Sequence, residues 1–134
     1  MTDDSIPQFG TAFGLVFGAG LGSTVAVLVG TNLASITGFG VGAGIVIGSL
    51  AGLLARANRG QANYGVRVVG GSGVIGLVVG AAIGLLTAWS IDGSLAAGLG
   101  IGAAAGIVHG LMVGGVLYDR AVRADRDAAV EGPS

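Results

Sequence analysis

Four long apolar runs, separated by short polar breaks, make up most of the chain. They lie at roughly 9–30, 34–55, 66–89 and 94–118 and are almost free of charged side chains. A helix advances about 1.5 Å per residue and the hydrocarbon core of a bilayer is about 30 Å thick, so each run is long enough to cross it. The pattern predicts an all-α membrane protein with four transmembrane helices.

Two other interpretations of these runs fit the sequence less well. The first run follows the acidic segment MTDDSIPQ and precedes three similar runs, so we expect a retained helix rather than a secretory signal. The segments GFGVGAG and GLGIG alternate with a period of two residues, as strands do. A membrane β-barrel alternates apolar residues with polar ones that face the lumen, whereas here the alternate residue is glycine, so helices are favoured.

The arginines predict how the chain is oriented in the membrane. All six lie around the middle break or after the last run, at Arg56, Arg59, Arg67, Arg120, Arg123 and Arg126. Basic residues stay on the cytoplasmic side, so we expect both termini in the cytoplasm and the helices in the cell (plasma) membrane. The predicted organisation is a cytoplasmic N-terminal tail (1–8), a first transmembrane hairpin (9–55), a cytoplasmic turn (56–65), a second transmembrane hairpin (66–118) and a cytoplasmic C-terminal tail (119–134).

The aromatic residues near the ends of the runs agree with this orientation. Aromatic rings prefer the headgroup zone. Phe9, Tyr64 and Tyr118 are expected at the inner interface and Trp89 at the outer one.

An internal repeat relates the two halves of the chain. Shifting the sequence by 62 residues aligns GLVFGAGLG with GLVVGAAIG, and AGIVIG with AGIVHG, without a gap. Between 14–52 and 76–114, 17 of 39 positions are identical. Two parallel repeats of a two-helix hairpin explain this match, with both copies in the same orientation and related by an axis along the membrane normal.

Glycine recurs every four residues within each run. Glycine stripes let helix backbones approach closely in lipid, where no hydrophobic force drives helices together. We therefore predict that the following glycines mediate helix packing within the chain or between copies: Gly14, Gly18, Gly22, Gly40, Gly44, Gly48, Gly52, Gly76, Gly80, Gly84, Gly98, Gly102, Gly106, Gly110 and Gly114.

These stripes resemble those of glycine-zipper polytopic membrane proteins, a motif that unrelated families share. The duplicated hairpin is also similar to the proteolipid subunits of rotary ATPases, and this resemblance implies an ion-binding carboxylate near the bilayer middle. The corresponding segments here are GIVIGS and GIVHGL, with Ile47 and His109 and no carboxylate in any run. The ion-binding role of that family is therefore not expected.

His109 is the one ionisable group well inside a predicted span, about 12 Å from its inner boundary. It is a candidate polar or proton site, because ionisable residues inside a membrane are often functional. The alternative is a neutral imidazole that fills space between glycines, since Ile47 takes its place in the first repeat. By depth, its candidate partners are Ser49, Ser23 and Thr24.

The other polar groups in or between the runs have simpler expected roles. The hydroxyls of Ser23, Thr24, Ser72 and Thr87 can bond across helices or to preceding carbonyls of their own helices, and we expect the second. Asp92 is expected to cap the fourth helix or to lie in water.

The amino-acid composition argues against several classes of function. Hydrophobic residues make up 52% of the chain and charged residues 10%, with a net charge of -1 and no cysteine. These values argue against a nucleic-acid partner, a catalytic centre, a metal site or a bound cofactor. That every basic residue is arginine is compatible with a prokaryotic source.

Three functional hypotheses remain. The favoured one is a structural or assembly protein of the lipid bilayer, either a homo-oligomer or a subunit of a larger membrane complex. An oligomeric pore or channel is the second, and a small-solute transporter with a midplane site is the third.

Overall fold

The computed structural model describes residues 5–29 and 33–131, and this part of the chain forms four helices without strands. The helices are α1 (Ser5–Val29), α2 (Leu33–Asn58), α3 (Tyr64–Ser90) and α4 (Leu95–Glu131). All four are long and apolar enough to cross a membrane, which fits a multi-pass integral membrane protein. The predicted helices are thus confirmed, and the period-two glycine segments are helical.

The helices begin earlier or end later than the apolar runs. Helix α1 begins at Ser5, inside the predicted N-terminal tail, and α4 continues to Glu131 through most of the predicted C-terminal tail. Charged side chains support this extension, because Arg123 donates from Nε to Asp119 Oδ2 one turn earlier, at 2.8 Å. The predicted turn around Asn32 lies outside the described residues.

The turn between α3 and α4 is closed by backbone hydrogen bonds. The N–H of Gly93 donates to the carbonyl of Ala88 at 2.7 Å, and Asp92 has a left-handed φ of 51°. This is a common C-terminal motif of helices, in which a left-handed residue turns the chain so that the following backbone N–H groups can donate to the last carbonyls of the helix. Ser94, rather than Asp92, caps α4, because its Oγ accepts from the N–H of Ala97 at 3.3 Å.

Each helix packs mainly against its neighbour in sequence. Helices α1 and α2 form one hairpin, and α3 and α4 form the other. The two hairpins meet mainly between α2 and α3, with further contacts of α4 with α2 and α1. Helix α1 touches only α4 of the second hairpin, and it does not approach α3.

The two hairpins share an apolar core at one end of the bundle. Its buried members come from all four helices and are Ile6, Ala51, Ala55, Val68, Val113 and Leu117. The arginines of the α2–α3 turn and of α4 lie at this same end, because Arg59 pairs with Asp125 at 3.6 Å. We call this end the arginine end, and the end with the α3–α4 turn the far end.

The aromatic residues near the helix ends divide between the two ends of the bundle. The guanidinium of Arg120 lies over the Phe9 ring, 3.9 Å from its centroid, and the rings of Tyr64 and Tyr118 are 6.1 Å apart. These residues are at the arginine end, whereas Trp89 is at the far end and 74% exposed.

Candidate functional site

Within each hairpin, glycines bring the two helix backbones into direct contact. A Cβ atom added to Gly14 would overlap the carbonyl oxygen of Gly44, and one added to Gly18 would overlap that of Gly40. In the second hairpin Gly76 meets Gly106 in the same way. Any side chain at these positions would push the helices apart, so glycine is required by the close approach.

Every glycine predicted to pack lies at one of these two contacts. The first hairpin uses Gly14, Gly18, Gly22, Gly40, Gly44, Gly48 and Gly52, and the second uses Gly76, Gly80, Gly84, Gly98, Gly102, Gly106, Gly110 and Gly114. Pairs related by the shift of 62 residues make matching contacts. At the arginine end Ser72 replaces Gly10, and its carbonyl oxygen meets Gly110 as that of Gly10 meets Gly48.

A second set of glycines faces outward. A Cβ atom added to Gly38, Gly42 or Gly100 would have no heavy atom within 4 Å. Gly38 and Gly42 are one turn apart on the exposed side of α2, and the shift of 62 residues relates them to Gly100 and Ala104, which are exposed on α4. Each hairpin therefore carries an outward small-residue face in the same register.

A row of aromatic rings connects α1 to His109 of α4. Phe9, Phe13 and Phe17 are spaced one turn apart, with ring centroids separated by 5.9 Å and 4.7 Å. The Phe17 ring then meets the imidazole of His109 edge-on, at 6.2 Å and 73°. The sequence analysis did not predict this contact between His109 and α1. The four-residue spacing of the three phenylalanines does indicate that they share one face of α1.

His109 is 3% exposed, and its Nε2 atom has no hydrogen-bond partner in the described part of the chain. The predicted hydroxyl partners of His109 were wrong, because they bond elsewhere. Ser49 Oγ shares a hydrogen bond with Thr11 Oγ1 at 2.8 Å. Ser23 donates to the carbonyl of Ala19, and Thr24 to that of Gly20. The imidazole thus keeps one unused polar atom inside the protein.

The serine and threonine hydroxyls with predicted bonds to their own helices include some that are bonded to a carbonyl of the preceding turn and one that is buried without a partner. The predicted bonds to preceding carbonyls are confirmed for Ser23 and Thr24, and Ser23 also reaches Thr37 Oγ1 across the hairpin at 3.2 Å. The prediction was wrong for Ser72, which is fully buried with an unpartnered Oγ. Its backbone contacts Gly110 and its side chain lies at Gly114, so packing fixes its position instead of a hydrogen bond.

A cleft of about 250 Å³ separates the two hairpins at the far end. The shared core joins the hairpins at the arginine end, while toward the far end each hairpin packs on its own glycines. All four helices line it, including Leu21, Phe39, Ile83, Ile91, Ile101 and His109. Sequence patterns could not predict the cleft, since it depends on how the hairpins diverge.

The polar side chains among the described residues that line the cleft are Thr87, Ser94 and His109. Among the described residues, no group of three His, Cys, Asp or Glu side chains lies close enough together to hold a metal ion. None of those residues brings a charged side chain to the cleft.

Comparisons of the chain with protein-family models, with curated proteins and with solved structures found no match. The likeness to glycine-zipper proteins and to rotary-ATPase proteolipids therefore depends on the residues described above.

Proposed function

We propose that this chain has a structural or assembly role in a cell membrane, as a homo-oligomer or as part of a larger membrane complex. The observation that carries the proposal is the direct backbone contact of the glycines within each hairpin. Helices joined in this way need no polar groups to hold them together, and they form rigid units suited to a scaffold.

We further propose that the chain is a duplicated glycine-zipper hairpin. The sequence repeat supports this, and so do the matching contacts of Gly14 with Gly44 and of Gly76 with Gly106. Because these stripes are used inside the hairpins, contacts between copies require another surface.

The outward small-residue faces are the surfaces we propose for assembly. They comprise Gly38 and Gly42 on α2 and Gly100 and Ala104 on α4. In lipid, small residues at such a face allow the backbone of another helix to approach closely. Helices α1 and α3 carry large exposed side chains at Val16 and Val78, which are 66% and 59% exposed, but each also has a glycine with open space beside it, Gly20 on α1 and Gly70 on α3.

The assembly proposal is tested by the mass of the full chain extracted together with its surrounding lipid. We expect more than one copy for the native protein and a single copy for Gly38→Leu combined with Gly100→Leu. The control, Val16→Leu combined with Val78→Leu, should keep the native mass. A native protein with the mass of one copy would contradict the assembly role.

One observation favours the second candidate, a pore or small-solute transporter. His109 is among the residues that line the cleft, and an ionisable residue inside a membrane span is often part of a solute or proton pathway. Vesicles containing the purified chain should show no flux of protons or small solutes if the role is structural. A flux that His109→Ile abolishes, without changing the oligomer mass, would support transport instead.

A further inference from the structure

We propose that Arg120 binds the phosphate of an anionic phospholipid in the leaflet at the arginine end, and that the Phe9 ring holds its guanidinium in place. The site lies where α1 and α4 meet at that end. It concerns lipid rather than contacts between copies, so it is independent of the assembly proposal. Its basis is a guanidinium that lies 3.9 Å from the centroid of an aromatic ring and has no carboxylate partner in the described part of the chain.

Both residues of the site lie at the level of the lipid headgroups. Phe9 begins the first apolar run, and Arg120 lies two residues, about 3 Å along the helix, beyond the end of the last run at Tyr118. The headgroup region extends about 5–8 Å beyond the hydrocarbon core on each side of a bilayer. Because Arg120 is exposed on the protein, a lipid phosphate at this level has access to it.

The contact with Phe9 prepares the guanidinium for a phosphate. The Phe9 ring packs against the shared core and against Phe13, whose ring centroid is 5.9 Å away. The ring attracts the guanidinium charge, and no described residue accepts a hydrogen bond from Arg120. Its N–H groups are therefore available to donate to two oxygens of one phosphate. A side chain that is already held in place loses less conformational entropy on binding.

The charge balance around the site favours an anionic lipid. Arg59 pairs with Asp125 at 3.6 Å, and Arg123 pairs with Asp119 at 2.8 Å. The remaining described acids of α4 lie seven or more residues beyond Arg120, about 10 Å or more along the helix. Arg120 thus leaves a local positive excess, which would repel the ammonium group of a zwitterionic headgroup and attract an anionic one.

The internal repeat does not reproduce this site between α2 and α3. Continuing the shift of 62 residues relates Phe9 to Gly71 and Arg120 to Asn58, so that neither the ring nor the guanidinium is present there. The arginine at that place, Arg67, donates from Nη1 to the amide oxygen of Asn58 at 3.3 Å. Among the described residues the arrangement occurs once, and we expect one bound lipid per copy.

The experiment measures lipid binding to the full chain purified in a neutral detergent. Phosphatidylglycerol, phosphatidylcholine and diacylglycerol with the same acyl chains are titrated separately, and native mass spectrometry counts the lipids on each copy. We expect one tightly bound phosphatidylglycerol, weaker binding of phosphatidylcholine, and little binding of diacylglycerol, which has no phosphate. Inorganic phosphate should displace the lipid no better than sodium chloride of the same ionic strength.

Three variants separate the held guanidinium from charge alone. Arg120→Gln should weaken phosphatidylglycerol binding about fivefold, the contribution of one basic residue at a membrane surface. Arg120→Lys keeps the charge without the paired donors and should recover only part of this loss. Phe9→Leu keeps an apolar side chain and the charge of Arg120, yet should weaken binding about twofold because the guanidinium loses its ring.

The matched control is Arg126→Gln, which removes the same charge from an exposed arginine six residues further along α4 and should change binding little. Equal weakening by Arg120→Gln and Arg126→Gln would mean that the lipid responds to net charge alone, and would overturn the proposal. Unchanged binding in Arg120→Gln would place the lipid elsewhere, and displacement by inorganic phosphate would assign the site to a soluble anion. If Phe9→Leu lowers the melting temperature, the comparison of Arg120→Gln with Arg120→Lys decides between these outcomes.

Discussion

At the scale of single residues, buried hydroxyls fall into two energetic classes. Ser49 shares a hydrogen bond with Thr11 across the first hairpin at 2.8 Å, whereas the Oγ of the fully buried Ser72 has no partner. A polar atom that is buried without a partner costs free energy, while a satisfied one stabilises the fold modestly. The same residue type therefore has opposite effects in the two hairpins.

The two serines should respond in opposite directions to the same substitution. Ser49→Ala removes a hydrogen bond between helices and should lower the free energy of unfolding by about 0.6 kcal/mol, the average for such bonds in membranes. Ser72→Ala removes an unsatisfied hydroxyl and should raise it by about 1 kcal/mol. Unfolding in mixed detergent micelles measures both changes. A loss of stability in Ser72→Ala comparable to that of Ser49→Ala would show that Ser72 has a partner.

Part of this residue-level detail could be predicted from the sequence. Bonds from Ser23 and Thr24 to the preceding turn need only local helical geometry, and they are present. The neighbours of Ser49 and His109 on other helices could not be predicted, because they depend on helix rotation and on which helix lies opposite. For His109 that neighbour is Phe17, 92 positions earlier in the chain.

At the scale of helices, α2 shows how one element carries two kinds of glycine. Gly40 and Gly44 touch α1, while Gly38 and Gly42 lie on the outward side, although both pairs have the same four-residue spacing. Two residues correspond to about 200° of rotation around a helix, so the pairs face nearly opposite directions. The four-residue spacing from Gly40 to Gly52 predicted a packing stripe, whereas the open space beside Gly38 and Gly42 is visible only in the structure.

Alanine at neighbouring positions tests this division of α2. Gly44→Ala should lower the free energy of unfolding by about 1–3 kcal/mol, because the new methyl group overlaps the backbone of α1. Gly42→Ala meets open space and should be neutral or should stabilise the helix by up to about 1 kcal/mol. Unfolding curves of the two variants, recorded under identical conditions, give the comparison. Equal destabilisation by both would contradict the proposed helix contact.

At the scale of the whole molecule, the arginines and the shared core lie at one end, and the cleft lies at the other. The helical spans were predictable because long apolar runs have few structural alternatives in a bilayer. The divergence of the hairpins was not predictable, since it arises from a core assembled by residues as distant in sequence as Ile6 and Leu117. The proposed cytoplasmic location of the arginine end depends on charge alone.

Cysteine labelling in intact cells tests this orientation, and the chain has no native cysteine to interfere. Ser94→Cys at the far end should react with a membrane-impermeant thiol reagent added outside. Gln61→Cys in the α2–α3 turn should react only after the membrane is opened, because the distribution of arginines predicts that this end faces the cytoplasm. Both residues are exposed on the protein, so accessibility should depend on the side of the membrane. Labelling in the reverse pattern would require the opposite topology.

The central claim is that copies of this chain assemble through the outward small-residue faces. Cysteine variants test this claim without altering the contacts inside the hairpins. A cysteine at Gly100, alone or together with one at Gly38, lies on the outward faces, whereas a cysteine at the exposed Val78 lies off them. The most direct test is disulfide cross-linking of these variants in native membranes, read as the mass of the linked product. We predict efficient cross-linking between copies for Gly100→Cys or for the Gly38→Cys and Gly100→Cys pair, and little for Val78→Cys. Absence of cross-linking at Gly38 and Gly100, or equal cross-linking at Val78, would contradict assembly through these faces.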